Sequence, residues 1–217
     1  MQLSQPQIAK DSFQVDDFIA YTQDFLLQEK PVSAIKSCAL QAEAIDLSGL
    51  DLKTSLLENC TFHTCSFENA SFIDIVFQSC DFSNSKFPAA YFERCRFINC
   101  KCIGMDMRDT VIKHTAFERC NLRYSCFDNT RILDALFDTV DFTEASLTKA
   151  KLKNFSARNS NFIRSSFYQT MLAGIDFSGN ELIAPIVSSP PVELKGAMID
   201  PFQAAGLIGL LGVIVKR

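Results

Sequence analysis

The residues best suited to chemistry in this chain are its cysteines, four of which recur at a spacing of twenty: Cys60, Cys80, Cys100 and Cys120. Thiolates are good zinc ligands, but tetrahedral zinc needs four sulfurs that converge at about 2.3 Å from one point. Whether these four can converge depends on the elements that carry them.

Acid–base and nucleophilic chemistry has weaker candidates. The only two histidines, His63 and His114, have no nucleophile at a suggestive spacing, and no glycine-rich phosphate loop is present. The carboxylates are dispersed along the chain instead of forming a pair that spacing can identify. The sequence therefore predicts a protein that is not an enzyme and that has no catalytic residues and no cofactor.

The elements that carry these residues follow a period of five. Every fifth residue from Leu47 to Leu182 is apolar, which gives 28 positions without an insertion. The residue two places before each of these positions is mostly small, and we call that position the small slot. We predict that the first column forms the core, and its phenylalanines are Phe62, Phe67, Phe72, Phe77, Phe82, Phe87, Phe92, Phe97, Phe117, Phe127, Phe137, Phe142, Phe162, Phe167 and Phe177. In the same column Ala157 leaves space that Phe155, in the small slot, is predicted to fill.

A period of five fits neither a helix of 3.6 residues per turn nor a straight strand. It buries one column only if the chain bends every five residues. Four bends close a coil of twenty residues, so the repeat predicts seven coils about 4.8 Å apart and a rod of about 34 Å. Cysteines spaced by twenty would then form a straight column, which cannot surround one ion, and we interpret them as small buried hydrophobes. No metal site is predicted.

Stretches such as Cys60-Thr61-Phe62-His63-Thr64 and Ala145-Ser146-Leu147-Thr148-Lys149 resemble the pentapeptide-repeat family. That resemblance implies an all-β solenoid, a right-handed quadrilateral β-helix, over residues 45–184. Residues 1–44 lack the clean repeat and are predicted to cap the solenoid, because solenoid ends expose unpaired strand edges. The spacing of apolar residues favours a helix over 14–29, and an imperfect first coil is the alternative.

Residues 185–217 break the register. Asp200 and Pro201 are a good N-cap and first residue for a short helix that ends near Gly212. This segment, with Gln203-Ala204 and Leu211-Gly212, resembles the tail of the Qnr, MfpA and McbG branch of the family. The resemblance implies a homodimer, and the alternative is a tail that folds back on its own solenoid. The expected interface residues are Phe202, Gln203, Leu207, Leu210, Leu211, Val213 and Val215.

Composition limits the location and partners. The 217 residues carry a net charge of −4, which does not favour direct binding to nucleic acid or to an anionic membrane. The first ten residues lack the apolar region of a signal peptide, and the run from Ala204 to Val215 is too short to span a bilayer. With nine cysteines and no export signal, we expect reduced thiols and a cytoplasmic protein.

The resemblance implies that the partner is a type II topoisomerase, DNA gyrase or topoisomerase IV, bound by mimicry of DNA. Residues 45–184 contain 17 acids and 15 bases, far fewer net charges than a duplex of the same length. Two neighbouring faces are mildly acidic, whereas the face of Leu52 and Ile112 has four acids to six bases. The candidate partner-binding acidic edge comprises Asp46, Glu68, Asp106, Asp109, Asp128, Asp81, Asp141, Glu144 and Glu181, and ordinary solvated charges are the alternative.

Two functions therefore stay open. One is a binding protein that modulates the action of a quinolone or a toxin on gyrase, and the other is a scaffold with a different protein target. Some Qnr proteins carry loops that contact the topoisomerase, but the unbroken register from 47 to 182 leaves no room for such insertions. This departure makes strong quinolone protection doubtful and brings the chain nearer to loop-less relatives that inhibit gyrase.

Overall fold

The computed structural model describes residues 3–214, which form a parallel β-solenoid of about seven turns with a short C-terminal helix. The predicted fold class is confirmed. Strand pairs join residues twenty apart, such as Val111 with Arg131 and Arg131 with Lys151, so that each turn of twenty residues stacks on the previous one. The period of five in the sequence is therefore one side of a four-sided coil.

The strands are short because the chain bends at every pentad. Those among the described residues are β1 (Phe13–Gln14), β2 (Val32–Ser33), β3 (Ile35–Cys38), β4 (Gln41–Glu43), β5 (Asp51–Glu58), β6 (Thr61–His63), β7 (Ser71–Gln78), β8 (Tyr91–Glu93), β9 (Arg96–Ile98), β10 (Val111–Glu118), β11 (Arg131–Asp138) and β12 (Lys151–Arg158). We number the four faces by their core columns. Face 1 begins at Leu47, face 2 at Leu52, face 3 at Leu57 and face 4 at Phe62, and each continues in steps of twenty.

The core is a set of stacked aromatic rings. On face 3, Phe97 lies between Phe77 and Phe117 with ring centroids 4.6 Å away on both sides. Rings of neighbouring faces meet edge to face, as Phe77 and Phe82 do at 5.2 Å. The predicted core phenylalanines are all buried. Because each ring contacts the coils before and after it, the core is continuous along the rod.

The bends have a local conformational cause. In each pentad from Glu29 to Ala184, the residue two places after the core residue has a positive φ, between 46° and 78°. Asparagine and glycine tolerate this left-handed region best, and asparagine recurs there, for example at Asn59, Asn99 and Asn159. The left-handed residue turns the chain by one side of the square.

The N-terminal segment combines the two structures that the sequence left open. Helix α1 spans Phe18–Leu27, which is shorter than the predicted 14–29. It begins later because Asp17 is the N-cap and accepts a bond from the Ala20 amide at 2.9 Å. It ends before Glu29, whose φ is 51°. Ahead of the helix, β1 pairs in parallel with β3 as a fragment of a coil.

The parallel ladder starts ahead of the predicted boundary at residue 45. β2, β3 and β4 pair with β5 and β6 at the same spacing of twenty, so the coil stack extends back to residue 32. This coil is hard to see in the sequence because Ser37 and Ala42 replace the large core residues. Ile35, in the slot that is normally small, is fully buried and supplies the missing volume.

The ladder is interrupted once on faces 2 and 3, after β12. In earlier coils the Asn99 amide bonds to Glu118 O and the Thr139 amide bonds to Arg158 O. The corresponding bond from the Asn159 amide to the carbonyl of residue 178 is absent. No backbone bond joins residues 151–158 to residues 171–178, which pair instead with residues 193–198. On faces 1 and 4 the coils stay bonded, for example from Lys149 N to Tyr168 O.

The interruption lies beside the exchanged pair Phe155 and Ala157. Phe155 is buried and packs on Phe137 at 5.0 Å, as its predicted filling role requires. The next residue of its column, Ile175, is also large, so two bulky side chains follow each other in a slot that elsewhere often holds cysteine, serine or threonine. Their combined volume separates the two backbones, as overpacked cores do.

Candidate interaction surfaces

The C-terminal tail is built from a well-capped helix. Helix α2 spans Pro201–Leu207 and a 3₁₀ turn continues it over Ile208–Leu211. The Asp200 carboxylate accepts bonds from the amides of Phe202 and Gln203, and the Gln203 side chain accepts a bond from the Asp200 amide. This reciprocal capping fixes where the helix begins. Gly212, with φ of 77°, follows the 3₁₀ turn.

One side of the tail lies against its own chain. The Gln203 amide donates to the carbonyls of Phe177 at 3.0 Å and Asn180 at 2.6 Å, and so ties the helix to the end of the coil stack. Leu207 is buried and Leu210 packs against the core. Three of the residues expected at a dimer interface therefore cap the solenoid, as the fold-back alternative requires.

The other side of the tail is free. Phe202 is 91% exposed and Leu211 is 66% exposed, and Val213 is also exposed. Val215, the last of the expected interface residues, lies outside the described residues. An apolar groove of about 380 Å³ runs between α2 and the final turn, and it is lined by Leu194, Ala197, Ile199, Ala204, Leu207, Ile208 and Leu211. The tail thus caps one chain and presents an apolar surface beside it.

A buried carboxylate anchors the loop that leads to this tail. Glu193 is fully buried and accepts bonds from the Gln169 amide at 2.8 Å, the Ser188 amide at 3.1 Å and the Ser188 hydroxyl at 2.8 Å. Burial raises the pKa of a carboxyl group, but these donors outweigh it and hold the pKa of Glu193 below its ordinary value. The ionised form therefore fixes the last turn.

Basic neighbours neutralise four of the nine acids of the predicted acidic edge. Asp81 pairs with Lys101 at 3.0 Å and Asp141 with Arg123 at 3.5 Å, and Glu144 pairs with Arg164. Asp106 pairs with Arg108 at 2.6 Å. Burial acts to raise the pKa of Asp106, yet the bonds from Arg108 lower it overall, so the carboxylate stays ionised and paired. Four of the nine proposed acids therefore present little free charge.

The other five are divided between two groups. Asp46 accepts bonds from Ser48 and stabilises a local turn, whereas Asp128 accepts the Thr148 amide of the next coil at 2.9 Å and links the two coils. The remaining three are exposed, and none of them forms an ion pair within residues 3–214; they are Glu68, Asp109 and Glu181. They lie on different coils and the structure does not bring them together.

Six of the nine cysteines occupy the small slot, where several donate hydrogen bonds to the preceding coil. The thiols of Cys80, Cys100 and Cys120 donate to the carbonyls of Leu57, Phe77 and Phe97 at 3.3–3.4 Å. Serine and threonine hydroxyls make the same bond elsewhere, as Ser165 does to Phe142 at 2.7 Å. Burial raises the pKa of Cys95 to about 12. Buried thiols of this kind are structural.

Three features of residues 3–214 bear on metal binding, acid–base chemistry and membrane crossing. Within residues 3–214, no three His, Cys, Asp or Glu side chains converge as metal ligands would. His63 and His114 lie on different faces and coils, and His63 is 4.0 Å from Glu43. No helix in that range is both long enough and apolar enough to cross a bilayer.

Sequence reasoning missed the anchoring role of Glu193. In the regular coils a core amide bonds to the carbonyl nineteen residues later, as Phe167 N does to Ile186 O. Leu172 N bonds instead to Glu193 O, so this part of the chain is offset by two residues from the register. The run Ser188-Ser189-Pro190-Pro191 marks the break in register, but not its length.

Comparisons with known proteins agree with this architecture. A family model described as a pentapeptide repeat region matches residues 70–131, and a model of eight pentapeptide repeats matches residues 141–179. No curated protein matches the sequence. Trypsin-treated QnrB1, a plasmid-mediated fluoroquinolone resistance protein, is 18% identical, with 94% of this chain and 95% of that chain covered and a TM-score of 0.49. HetL, a pentapeptide repeat protein involved in heterocyst differentiation regulation from the cyanobacterium Nostoc, is 15% identical over 78% and 89% of the chains, with a TM-score of 0.32.

Proposed function

We propose that this chain, a pentapeptide-repeat protein, is a homodimeric binding rod whose partner is a type II topoisomerase such as DNA gyrase. The observation that carries the proposal is the C-terminal tail. Its capped helix seals one end of the solenoid with Gln203 and Leu207 and still presents Phe202 and Leu211 to solvent. The side chains at the free surface have no function in the single chain, which is what a subunit interface would leave exposed.

The apolar composition of that surface supports the proposed homodimer. Exposed apolar side chains and an apolar groove are unfavourable in water, and a two-fold interface buries the same residues on both chains. The groove of about 380 Å³ is large enough to receive an aromatic side chain of the second copy. Phe202, which is 91% exposed at the start of α2, is the natural candidate.

Light scattering after size exclusion tests the dimer. The native protein should elute at twice the chain mass of 24.3 kDa, and Phe202→Ser with Leu211→Asp should convert it to a monomer with an unchanged circular dichroism spectrum. Tyr168→Ser removes an aromatic ring that is 42% exposed on face 1 and serves as the matched control. A native protein that is monomeric at micromolar concentration contradicts this part of the proposal.

The proposed topoisomerase partner rests on the tail resemblance together with three free carboxylates. Mimicry of DNA requires negative charge that no cation neutralises, and four acids of the proposed edge are in ion pairs. Asp46 and Asp128 keep their charge but are held by hydroxyl and amide donors, whereas Glu68, Asp109 and Glu181 are exposed. We therefore expect weaker binding than a fully acidic rod would give, and binding that declines as salt rises. Charge reversal should therefore be made at Glu68, Asp109 and Glu181, and not at Asp106 or Asp141, whose charges are paired.

A gyrase supercoiling assay with titrated protein, with and without ciprofloxacin, tests the partner. Inhibition of supercoiling or protection from the drug at micromolar protein supports the proposal. Reversal of Glu68, Asp109 and Glu181 to lysine should weaken the effect, whereas reversal of Lys86 to glutamate should leave it or strengthen it. No effect up to tens of micromolar protein would exclude gyrase as the partner.

A scaffold with another protein target is the second candidate. The ion pairs between neighbouring coils favour it, because they neutralise Asp81, Asp141 and Glu144, part of the charge on which a mimic of DNA would depend. A pull-down with the dimer as bait, at low and at high salt, separates the two. A partner retained at high salt is bound mainly by apolar contacts and fits the scaffold.

A further inference from the structure

Four buried thiols lie in one straight column along the rod. They occupy the small slot of face 4 on four successive coils, and we call them the cysteine column: Cys60, Cys80, Cys100 and Cys120. The coils are in register at this place, because the amides of Asp81, Lys101 and Asn121 bond to the carbonyls of Cys60, Cys80 and Cys100 at 2.9–3.0 Å. The other five cysteines have no cysteine twenty residues away in either direction.

The sulfur atoms of the cysteine column share one orientation. Each thiol donates to the carbonyl of the core position on the preceding coil, at 3.6 Å for Cys60 and at 3.3–3.4 Å for the other three. Because the orientation repeats, neighbouring sulfurs are separated by the spacing of the coils, about 4.8 Å. A disulfide needs about 2.05 Å between its sulfurs, so this alignment does not favour one. Each sulfur instead faces the next across a gap.

This gap suits a metal ion that binds two ligands in line. Metal–sulfur bonds are about 2.3 Å long, so two of them placed end to end span about 4.6 Å. A straight column cannot surround a tetrahedral ion such as zinc, but a soft monovalent ion such as copper(I) prefers thiolate sulfur and accepts two ligands on opposite sides. The lone pairs of one sulfur do not point in opposite directions, so a sulfur that binds an ion on one side cannot bind a second on the other. Ions can therefore fill only alternate gaps.

The charge of the site also favours a monovalent ion. A buried site is least costly when its net charge is zero, and one thiolate, one neutral thiol and one monovalent cation satisfy this. The pKa of Cys80 is lowered by the thiol of Cys100 and then by that of Cys60, and the thiol of Cys100 lowers the pKa of Cys120. The neighbouring thiols Cys80 and Cys120 raise the pKa values of Cys60 and Cys100 in turn. Each pair of successive thiols thus has one member that ionises more easily.

We propose that the cysteine column binds two copper(I) ions, one between Cys60 and Cys80 and one between Cys100 and Cys120. Each ion replaces one thiol proton, which passes to solvent, and the ion keeps its oxidation state. Because the thiols are buried, the ions enter as the coils stack, and each then ties two coils together. Packing alone does not require cysteine here, since Ser165 makes the same bond to a core carbonyl in the small slot. The site is independent of the tail and of the acidic edge.

Native mass spectrometry of the full chain tests the site by counting bound copper. The starting protein has Cys38→Ser and Cys126→Ser, which remove the two thiols that are not buried. It is refolded without oxygen in the presence of copper(I), and excess free methionine then removes loosely held ions. Two copper ions should remain on each chain. The added pair Cys80→Ser with Cys100→Ser leaves no two successive thiols, and this variant should retain none.

The chain offers a matched control for this variant. Cys65 and Cys95 are buried in the same slot but have no cysteine on a neighbouring coil, so Cys65→Ser with Cys95→Ser should still retain two ions. Cys60→Ser with Cys80→Ser leaves one pair of successive thiols and should retain one ion.

Two further measurements separate this site from other ways of binding copper. X-ray absorption at the copper edge should show two sulfur neighbours for each ion. Bound copper should raise the melting temperature of the starting protein and of the control, but not that of the variant without successive thiols, and melting curves without copper check that each variant folds. The proposal is overturned if the starting protein does not retain two ions, if the control loses as many as the variant, or if copper has three or four sulfur neighbours.

Discussion

Exchanging Phe155 and Ala157 tests whether crowding in one core slot interrupts the ladder. Phe155→Ala alone removes a buried ring and should cost about 3–5 kcal/mol of unfolding free energy. Ala157→Phe alone adds a ring where Phe155 already fills the space and should cost about 1–3 kcal/mol. The double variant places phenylalanine between Phe137 and Phe177, as on the other coils, and should lie within about 1.5 kcal/mol of the native chain.

The two substitutions should therefore be coupled by at least about 2.5 kcal/mol, far above the deviation from additivity expected of independent sites. Urea unfolding of the four proteins, followed by far-ultraviolet circular dichroism, measures that coupling. Hydrogen exchange adds a structural readout, since the amides of residues 152–159 should gain protection in the double variant when residues 171–178 pair with them. Additive effects, or a double variant in which these amides stay unprotected, would refute crowding as the cause.

Three other predictions concern local chemistry. Thr139→Asn should stabilise the protein by about 0.5–1 kcal/mol, because Thr139 has φ of 58°, and the matched change Asn159→Thr in the next coil should destabilise it similarly in thermal melts. Because Cys38 is exposed, Cys126 is half-buried and the other cysteines are buried, a thiol reagent should modify Cys38 at once and Cys126 slowly in the folded protein. All nine cysteines should react only in denaturant. Rapid modification of more than these two in the folded protein would show that the core opens. Because the pKa of Glu193 is lowered in the folded protein, its ionised carboxylate contributes stability above the ordinary pKa of glutamate. The tail should therefore lose amide protection as pH falls below that value, and Glu193→Gln should remove this dependence. A pH profile of the variant that is identical to the native one would contradict the prediction.

The sequence predicted most of the fold because a repeat in register leaves few alternatives. Twenty-eight apolar positions at a strict spacing required a bend in every pentad, and the structure supplies it. The sequence did not reveal which residue bends, although the asparagines at Asn59, Asn99 and Asn159 were a usable signal. The predicted start of the coil stack, residue 45, is too late because the large Ile35 and the small Ser37 occupy each other's usual positions.

The interaction surfaces were less predictable, because charge counts do not show which charges are paired. Asp106 and Asp141 count as acids in the sequence, but each contacts an arginine in the structure. The tail was predicted as one surface, whereas Gln203 bonds to the end of the solenoid and its neighbour Phe202 is 91% exposed.

The interruption after β12 also has a mechanical consequence. The two coils stay bonded on faces 1 and 4, while faces 2 and 3 have no backbone bonds between them, so the bending stiffness of the rod is lowest there and depends on direction. Bending that opens faces 2 and 3 stretches little more than side-chain contacts, whereas bending in the opposite sense compresses the packed core. The rod is therefore expected to behave as two stiff segments joined by a one-way hinge, with the tail on the shorter segment.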